Sequence, residues 1–246
     1  MNRCFAEPPQ LLQPELTLST AESRHLARVL RARPGDAVTL MDGQGHTAQA
    51  TIISTRHSGV RVQIREETRC YQPPPPVAII LVQALAKPLS MDWIVQKATE
   101  LGVRAVWPLL TARVIVKTDR CDRWRKIAQE AAKQSGVAWL PDIQPVRALP
   151  DILPRLPEFS AWFVASLHED ARPFRAVLNA AVHKTPMSLA LIIGPEGDLT
   201  AEETLALTKA GGIPVRFGPT ILRTETAALY GLSVLTHEFA SGDESP

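Results

Sequence analysis

Two short segments contain residue types that commonly bind ligands. In both segments the residues also favour a sharp turn of the backbone. The first is the Gly-Pro-Glu-Gly sequence at 194–197, which follows an apolar run at 189–193. Glycine lets the backbone approach a ligand closely, and proline stiffens the turn. Thr200 and Glu203 then form a capping box, which begins a helix. The pattern indicates a ligand-binding turn between a strand and a helix, and a plain turn is the alternative because Gly and Pro are common in turns.

The second segment, 218–227, places an Arg-Thr-Glu-Thr run between an apolar pair and a very apolar helix. Thr224 is suited to cap that helix, and the charge of Glu225 suits its positive N-terminal end. The charge of Arg223 is badly placed there, because the helix dipole repels a cation at its N-terminus. Arg223 therefore requires an anionic partner, which is Glu225, Glu196 or a bound substrate.

The elements around these segments alternate between short apolar strands and amphipathic helices. Strands are predicted at 77–82, 104–109, 161–165, 189–193 and 213–217, and helices at 91–101, 121–135, 173–181, 200–210 and 224–239. This alternation predicts an α/β domain with a mostly parallel sheet. Ligands of such sheets bind beyond the carboxyl ends of the strands, where both polar segments and the exit at 166–170 lie.

A run of four prolines at 73–76 is the strongest linker signal, because it continues neither a helix nor a central strand. We therefore expect two domains, 1–72 and 73–246. In the first, Ser19 and Glu22 form a capping-box pattern for a helix that runs through Leu30. Strands at 37–41, 46–54 and 60–65 then predict a small β-rich barrel or sandwich.

Composition and charge restrict the class of protein. The chain has 246 residues, of which 45% are hydrophobic, and a net charge of only +2. No apolar run is long enough for a membrane helix or a secretory signal, so we expect a soluble cytoplasmic protein without a membrane partner. The three cysteines are widely spaced and form no CxxC pair, which argues against a disulfide framework and against a metal site.

The charge is unevenly distributed. Residues 87–133 hold ten Lys or Arg against five Asp or Glu, whereas residues 187–246 hold three against eight. A basic stretch on a nearly neutral protein predicts a surface that faces phosphates, and the alternative is a pair of solvated helices.

Four stretches of the second domain resemble the RsmE family, the 16S ribosomal RNA uridine-N3 methyltransferases of the SPOUT superfamily. They are IVQKATELGV (94–103), EAAKQSG (130–136), IIGPEGDLTAEE (192–203) and ILRTETAALYGL (221–232). The first domain is similar to the PUA-like RNA-binding β-barrel domain of that family at 24–50. The resemblance covers nearly the whole chain.

The resemblance implies properties that the residue patterns do not. It implies a SPOUT-type α/β domain with a trefoil knot, preceded by the PUA-like barrel, and a homodimer whose subunits share the active site. The cofactor is then S-adenosylmethionine, and the target is N3 of a uridine in the decoding-region helix of 16S rRNA in the small ribosomal subunit. Val137 and Thr220 stand where the family commonly has arginine, which bears on RNA affinity more than on cofactor binding.

Site residues follow from the resemblance and from the chemistry of uridine N3, which carries a proton that must leave. We expect Arg223, oriented by Glu225, to stabilise the negative charge that develops on the base. The cofactor-binding residues are predicted mainly at the strand exits: Leu167, Gly194, Pro195, Glu196, Gly197, Gly218, Ile221, Leu222, Thr226 and Ala227. The RNA-binding residues are predicted to be Arg24, Arg28, Arg31, Lys87, Lys97, Arg113 and Lys133.

Several alternatives stand beside these expectations. Arg24, Arg28 and Arg31 share one helical face, which is also typical of a solvated helix, and Lys97 is placed to pair with Glu100. A Rossmann-type enzyme is disfavoured because the exit at 83–88 contains no glycine. A knotted RNA methyltransferase with a different RNA target, or a non-catalytic RNA-binding homologue, remains compatible with the motifs.

Overall fold

The computed structural model describes residues 2–56, 59–116, 118–181 and 187–240. The chain forms two compact units, one of 1–74 with 129–140 and the other of 75–128 with 141–246. The sequence pattern assigns 129–140 to the second domain, whereas in the structure this segment belongs to the first unit. The cause is a set of long-range contacts, among them a hydrogen bond from the Trp139 indole to the Gln72 carbonyl at 2.9 Å.

The first unit is built around a mostly antiparallel sheet of six strands. The strands pair in the order β1-β3-β4-β5-β2, with β6 on β4, and only β1 and β3 are parallel. Every second residue of β5 is buried, as expected for a strand with one face on a core. The elements are β1 (Asn2–Phe5), β2 (Glu15–Thr17), α1 (Thr20–Arg24), β3 (Ala37–Met41), β4 (His46–Arg56), β5 (Gly59–Ile64) and β6 (Cys70–Tyr71).

The second unit is an α/β structure, as predicted. Its sheet is parallel in every strand pair that the described residues form. Its strands are β7 (Ala78–Ala84), β8 (Ala105–Leu110), β9 (Asp142–Ile143), β10 (Arg147–Ala148), β11 (Ala161–Ala165), β12 (Arg172–Pro173), β13 (Ser188–Ile193) and β14 (Ile213–Arg216). Its helices are α2 (Pro88–Glu100), α4 (Leu149–Ile152), α5 (Phe174–Ala181), α6 (Ala201–Lys209) and α7 (Thr224–Leu235). The helix α3 (Cys121–Ser135) begins in the second unit, and its residues 129–135 belong to the first unit.

The order of the strands determines where the site lies. It is β10-β8-β7-β13-β11-β14-β12, with β9 on β8, so β11 lies between β13 and β14. The carboxyl ends of these three strands therefore open side by side at one edge. Both faces of the sheet are buried: Ile79 and Leu81 of β7 join one core cluster, while Ile80 and Val82 join the other.

Two helices change from α-helical to π-helical hydrogen bonding before their predicted ends. The N-terminal helix predicted to run through Leu30 is α-helical only to Arg24 and continues as a π-helix, His25–Val29. The last predicted helix likewise changes from α7 to a π-helix at Thr236–Ala240. Hydrophobic periodicity marks an apolar face but does not distinguish hydrogen bonds to the fourth and the fifth preceding residue.

Candidate active site

A cleft of about 550 Å³ opens at the carboxyl ends of β11, β13 and β14, within the second unit. Its size is that of a small-molecule site, and its place is where parallel sheets bind ligands. Arg223 and Glu225 line it. So do most of the predicted cofactor residues: Leu167, Gly194, Pro195, Glu196, Gly218, Ile221, Leu222 and Ala227.

Two predicted cofactor residues do not line this cleft. Gly197 packs against Arg113, and a Cβ at Gly197 would lie 3.3 Å from the Arg113 Cβ. Thr226 instead lines a separate, shallower groove of about 470 Å³ along α7, together with Tyr230 and Val234.

The turn after β13 is held tightly by its own hydrogen bonds. The Asp198 amide donates to the Pro195 carbonyl at 2.9 Å, and Asp198 takes a left-handed φ of 61°. A Cβ at Gly194 would lie 3.1 Å from the Asp198 Oδ1, so a side chain here would displace Asp198 by a few tenths of an ångström. The predicted capping box of Thr200 and Glu203 is present and begins α6.

Arg113 stabilises this turn through a hydrogen bond from its side chain. Its Nη1 donates to the Gly197 carbonyl at 2.9 Å. The neighbouring Ala112 amide donates to Glu203 Oε1 at 2.7 Å, which ties the loop after β8 to the first turn of α6. The sequence suggested a phosphate contact for Arg113, whereas in the structure its guanidinium supports the turn after β13.

Thr224 does not cap α7 as the sequence pattern suggested. Arg223 occupies the N-cap position, and α7 begins at Thr224. The Thr224 hydroxyl turns inward, where it donates to the Gly194 carbonyl at 2.7 Å and accepts from the Gln83 Nε2 at 3.0 Å. Gln83 is fully buried at the end of β7, and its amide also donates to the Ala84 carbonyl at 2.9 Å. Sequence reasoning missed Gln83, although a polar residue at the end of an apolar strand was the available signal.

Arg223 is exposed at the rim of the cleft. In the described part of the chain its guanidinium forms no ion pair with Glu225 or Glu196, the two carboxylates that the sequence offered as partners. Glu196 instead accepts a hydrogen bond from the Lys87 backbone amide at 2.8 Å. The Arg223 charge is therefore directed to the cleft rather than to a structural ion pair.

The walls of the cleft suit a ligand with both apolar and charged parts. Leu167 and Ile221 present aliphatic side chains that are 59% and 80% exposed and give the cleft an apolar wall. Carboxylates and cations both reach the cleft, among them Asp198 and Arg216, which sequence reasoning did not select. A nucleoside with a zwitterionic tail has the matching chemistry.

The predicted RNA-binding residues fall into two groups. Arg24, Arg28, Arg31 and Lys87 are exposed. Lys97 contacts both carboxylate oxygens of Glu100 at 2.8 Å, so the pairing alternative holds in this structure.

Lys133 pairs with the largely buried Glu22 and with the exposed Glu130, so its charge does not lie on an open surface. Its side chain is 10% exposed and pairs with Glu22 at 3.1 Å and with Glu130 at 2.7 Å. Burial lowers the pKa of Lys133, but the hydrogen bonds and charges of Glu130 and Glu22 outweigh it and hold the pKa above its usual value.

The ranges that the structure describes bear on two further features, a metal site and a membrane-spanning helix. No cluster of three or more His, Cys, Asp or Glu side chains there is arranged to hold a metal ion. No helix within those ranges has the length and apolar character needed to cross a membrane.

Comparison with known proteins defines the class. A family model described as an RNA methyltransferase domain matches residues 73–236, and one described as an RNA methyltransferase PUA domain matches residues 18–65. The α/β fold and its strand-end cleft are thus those of an RNA methyltransferase that carries a PUA domain.

Similar proteins specify the family. The ribosomal RNA small subunit methyltransferase E of Bacillus subtilis is 33% identical over 94% of each chain. The solved structure of the enzyme of the same name from Neisseria gonorrhoeae, bound to S-adenosyl methionine, has a TM-score of 0.84 at 28% identity and covers 97% of this chain and 98% of its own. A methyltransferase from Legionella pneumophila in complex with SAM has a TM-score of 0.87 at 30% identity, with 97% and 98% covered. The chain belongs to the ribosomal RNA small subunit methyltransferase E family, which confirms the resemblance, and its cofactor is S-adenosylmethionine. The trefoil knot stays a prediction.

Proposed function

We propose that this protein transfers a methyl group from S-adenosylmethionine to N3 of a uridine in the decoding-region helix of 16S rRNA. The observation that carries the proposal is the Arg223 charge at the rim of a cleft whose walls suit the cofactor. Among the described residues no carboxylate forms an ion pair with it. The name of the relatives, ribosomal RNA small subunit methyltransferase E, supports the small subunit as the source of the substrate.

The cofactor would be held mainly by backbone groups and aliphatic walls. Leu167 and Ile221 would cover its adenine, and the turn at 194–197 would approach its polar groups through the main chain. When bound, the cofactor supplies an electrophilic methyl group on a sulfonium centre. The carboxylates of Glu196 and Glu225 would favour the positive charge of that centre.

Arg223 would act on the base. N3 of uracil lies on the pairing edge, so the uridine must be flipped out or unpaired before it reaches the cleft. Water would accept the N3 proton, and its loss places negative charge on O2, N3 and O4. The Arg223 guanidinium would stabilise that charge and lower the pKa of the base. Glu225 lines the same cleft and would orient Arg223 once the base is bound.

The remaining parts of the proposal concern the assembly. Residues 1–72 would serve as the PUA-like RNA-binding domain and 73–246 as the knotted methyltransferase domain, with both acting in the cytoplasm on the small subunit. Arg24, Arg28, Arg31 and Lys87 would contact phosphates. Lys97, Arg113 and Lys133 are left out of this surface because protein groups already bind their charges.

We also propose a homodimer that uses the exposed side of α7. Tyr230 is 44% exposed and lines the groove along α7 with Leu229 and Val234. A second copy would cover this apolar surface and bring its own groups near the cleft. Sedimentation at micromolar concentration should give twice the mass of one chain, and a monomer would contradict this part of the proposal.

A methyl-transfer assay tests the proposed reaction. Small-subunit particles that lack the modification are incubated with the protein and S-adenosylmethionine carrying a tritiated methyl group, and the labelled nucleoside is identified by mass spectrometry. We expect 3-methyluridine at one site of 16S rRNA. Label in another nucleoside or another RNA would assign the alternative target that Val137 and Thr220 leave open. Cofactor binding without any transfer would indicate a non-catalytic homologue.

A further inference from the structure

Two aliphatic side chains lie exposed at the end of the π-helix in the first unit. Val29 is 66% exposed and Leu30 is 41% exposed, whereas Leu26 and Ala32 on either side of them are buried. The exposed pair therefore does not belong to the core that anchors this helix. Adjacent exposed aliphatic residues are a feature of surfaces that another molecule covers.

The surroundings of this pair are strongly basic. Arg24, Arg28, Arg31 and Arg33 are all exposed, and they lie within ten residues of one another along the chain. Within the residues that the structure describes, no carboxylate forms an ion pair with any of the four. A second copy of this surface would bring arginines against arginines, so like-charge repulsion disfavours self-association here. A polyanion has the complementary charge.

The backbone directs the pair outward. The Leu30 amide donates to the His25 carbonyl at 3.1 Å, which closes a wide π-type turn, and the Ala32 amide donates to the Leu26 carbonyl at 3.0 Å. Between these bonds Arg31 takes a left-handed φ of 52°, which an arginine rarely adopts. Such conformations are retained mainly at functional sites. Here the turn of the backbone leaves three consecutive side chains in solvent, those of residues 29–31.

We propose that Val29 and Leu30 form an apolar wedge that contacts RNA bases and opens a base step, while the flanking arginines bind the adjacent phosphates. Aliphatic side chains inserted beside bases, with cations on either side, are a known way for proteins to unstack nucleic acid. The wedge rests on the proposed function, because it assigns a second RNA contact to the same enzyme. It would serve the reaction by helping to free a base from its helix.

Binding experiments on the full chain test the wedge. The probe is a 16S rRNA fragment that contains the decoding-region helix, prepared as a set with 2-aminopurine at one adenine in each. We expect the wild-type protein to raise fluorescence at one position, because unstacked 2-aminopurine emits more strongly. The double variant Val29→Ser/Leu30→Ser should lose this rise and bind about tenfold more weakly. Val29→Ser alone, at the more exposed position, should give a smaller loss and guards against misfolding of the double variant.

Salt dependence separates the wedge from the arginines. Removal of apolar contacts should leave the slope of log affinity against log salt unchanged, whereas Arg28→Ala should reduce that slope by about one. Leu12→Ser is the matched control, because Leu12 is also an exposed aliphatic residue, with 74% of its surface exposed. It lies on a different element, a 3-10 helix that packs on β4, whereas α1 packs on β5. The control should bind RNA like the wild type.

Two outcomes would overturn the wedge. One is unchanged affinity and fluorescence in the folded double variant. The other is a change in its sedimenting mass, which would show that a second copy covers these residues. Failure of the proposed reaction is distinguished by the methyl-transfer assay on wild-type protein, because the binding experiments contain no cofactor and require no methylation.

Discussion

The Thr224 hydroxyl donates to the Gly194 carbonyl at 2.7 Å and joins the first residue of α7 to the turn after β13. The Gln83 amide donates to the same hydroxyl at 3.0 Å, so the end of β7 belongs to the same network. Three segments that are distant in sequence are thereby held together beneath the cleft. The geometry of the ligand-binding turn depends on this buried network rather than on the turn alone.

Thr224→Val should weaken this network. The substitution keeps the shape of the side chain but leaves the Gly194 carbonyl and the Gln83 amide without their shared partner. The free energy of unfolding should fall by about 1–3 kcal/mol, because buried polar groups are costly when unsatisfied. Chemical denaturation measures this loss, and calorimetry should show weaker S-adenosylmethionine binding.

Two controls accompany Thr224→Val. Thr224→Ser keeps the hydroxyl and should retain most of the cofactor affinity. Thr208→Val removes an exposed hydroxyl that donates to the Thr204 carbonyl of its own helix, and it should leave cofactor binding unchanged. Equal stability of Thr224→Val and the wild type would mean that the network contributes little.

Gly194→Ala and Gly218→Ala should separate the effect of turn geometry from that of ligand contact. A Cβ at Gly194 meets Asp198 and the Leu199 amide at 3.1 and 3.2 Å, so these neighbours must move by a few tenths of an ångström. Both stability and cofactor affinity should fall. A Cβ at Gly218 meets no protein atom within 4 Å. Gly218→Ala should therefore keep its melting temperature but lose cofactor affinity, because the methyl group enters the cleft. Undiminished affinity in Gly218→Ala would remove this residue from the binding surface.

The three cysteines should differ sharply in reactivity. Burial, followed by the charge of Glu22, raises the pKa of Cys4 to about 12. Burial, followed by its hydrogen bond with Asp119, raises the pKa of Cys121 to about 11. Because the thiolate is the reactive form, both should resist iodoacetamide at pH 8, whereas the exposed Cys70 should be alkylated. Peptide mass spectrometry after brief labelling checks this order, and rapid labelling of Cys4 in the native protein would contradict it.

Lys133→Met should test whether this lysine is structural. It leaves Glu22 buried without its partner, and breaking a buried pair costs about 3–5 kcal/mol. Because the pKa of Lys133 is raised in the folded protein, its stabilisation is present below the unfolded pKa and is lost as pH rises through the folded value. The destabilisation caused by Lys133→Met should therefore shrink at strongly alkaline pH.

A compensating variant completes the test of Lys133. Lys133→Met/Glu22→Leu removes both main charges and should recover much of the lost stability. If Lys133→Met instead left stability unchanged and only weakened RNA binding, the original expectation of a phosphate contact would be restored.

Local patterns predicted much of the fold. The strand Ala37–Met41 and the helix Cys121–Ser135 coincide with their predicted bounds, because alternation and helical periodicity extend over their whole length. The short elements between 139 and 160 were not predicted, since two to four residues show no period.

The site was predictable only where its signal is local. Glycine, proline and the capping box marked the turn after β13. The roles of Thr224 and Gln83 depend on a contact between residues 141 positions apart, and that of Arg113 on a carbonyl 84 positions away. Such pairings arise from the order of strands in the sheet, which no local pattern records.

The proposed role of Arg223 is tested most directly by measuring methyl transfer and cofactor binding of Arg223→Ala in the same preparation. We expect kcat with small-subunit particles to fall about 100- to 1000-fold, because a group that stabilises developing charge is lost, while the S-adenosylmethionine Kd changes less than about threefold. Arg175→Ala, which removes an exposed arginine on α5, should leave both values unchanged. A parallel loss of cofactor binding and transfer in Arg223→Ala would contradict the account, because Arg223 would then shape the pocket rather than act on the base.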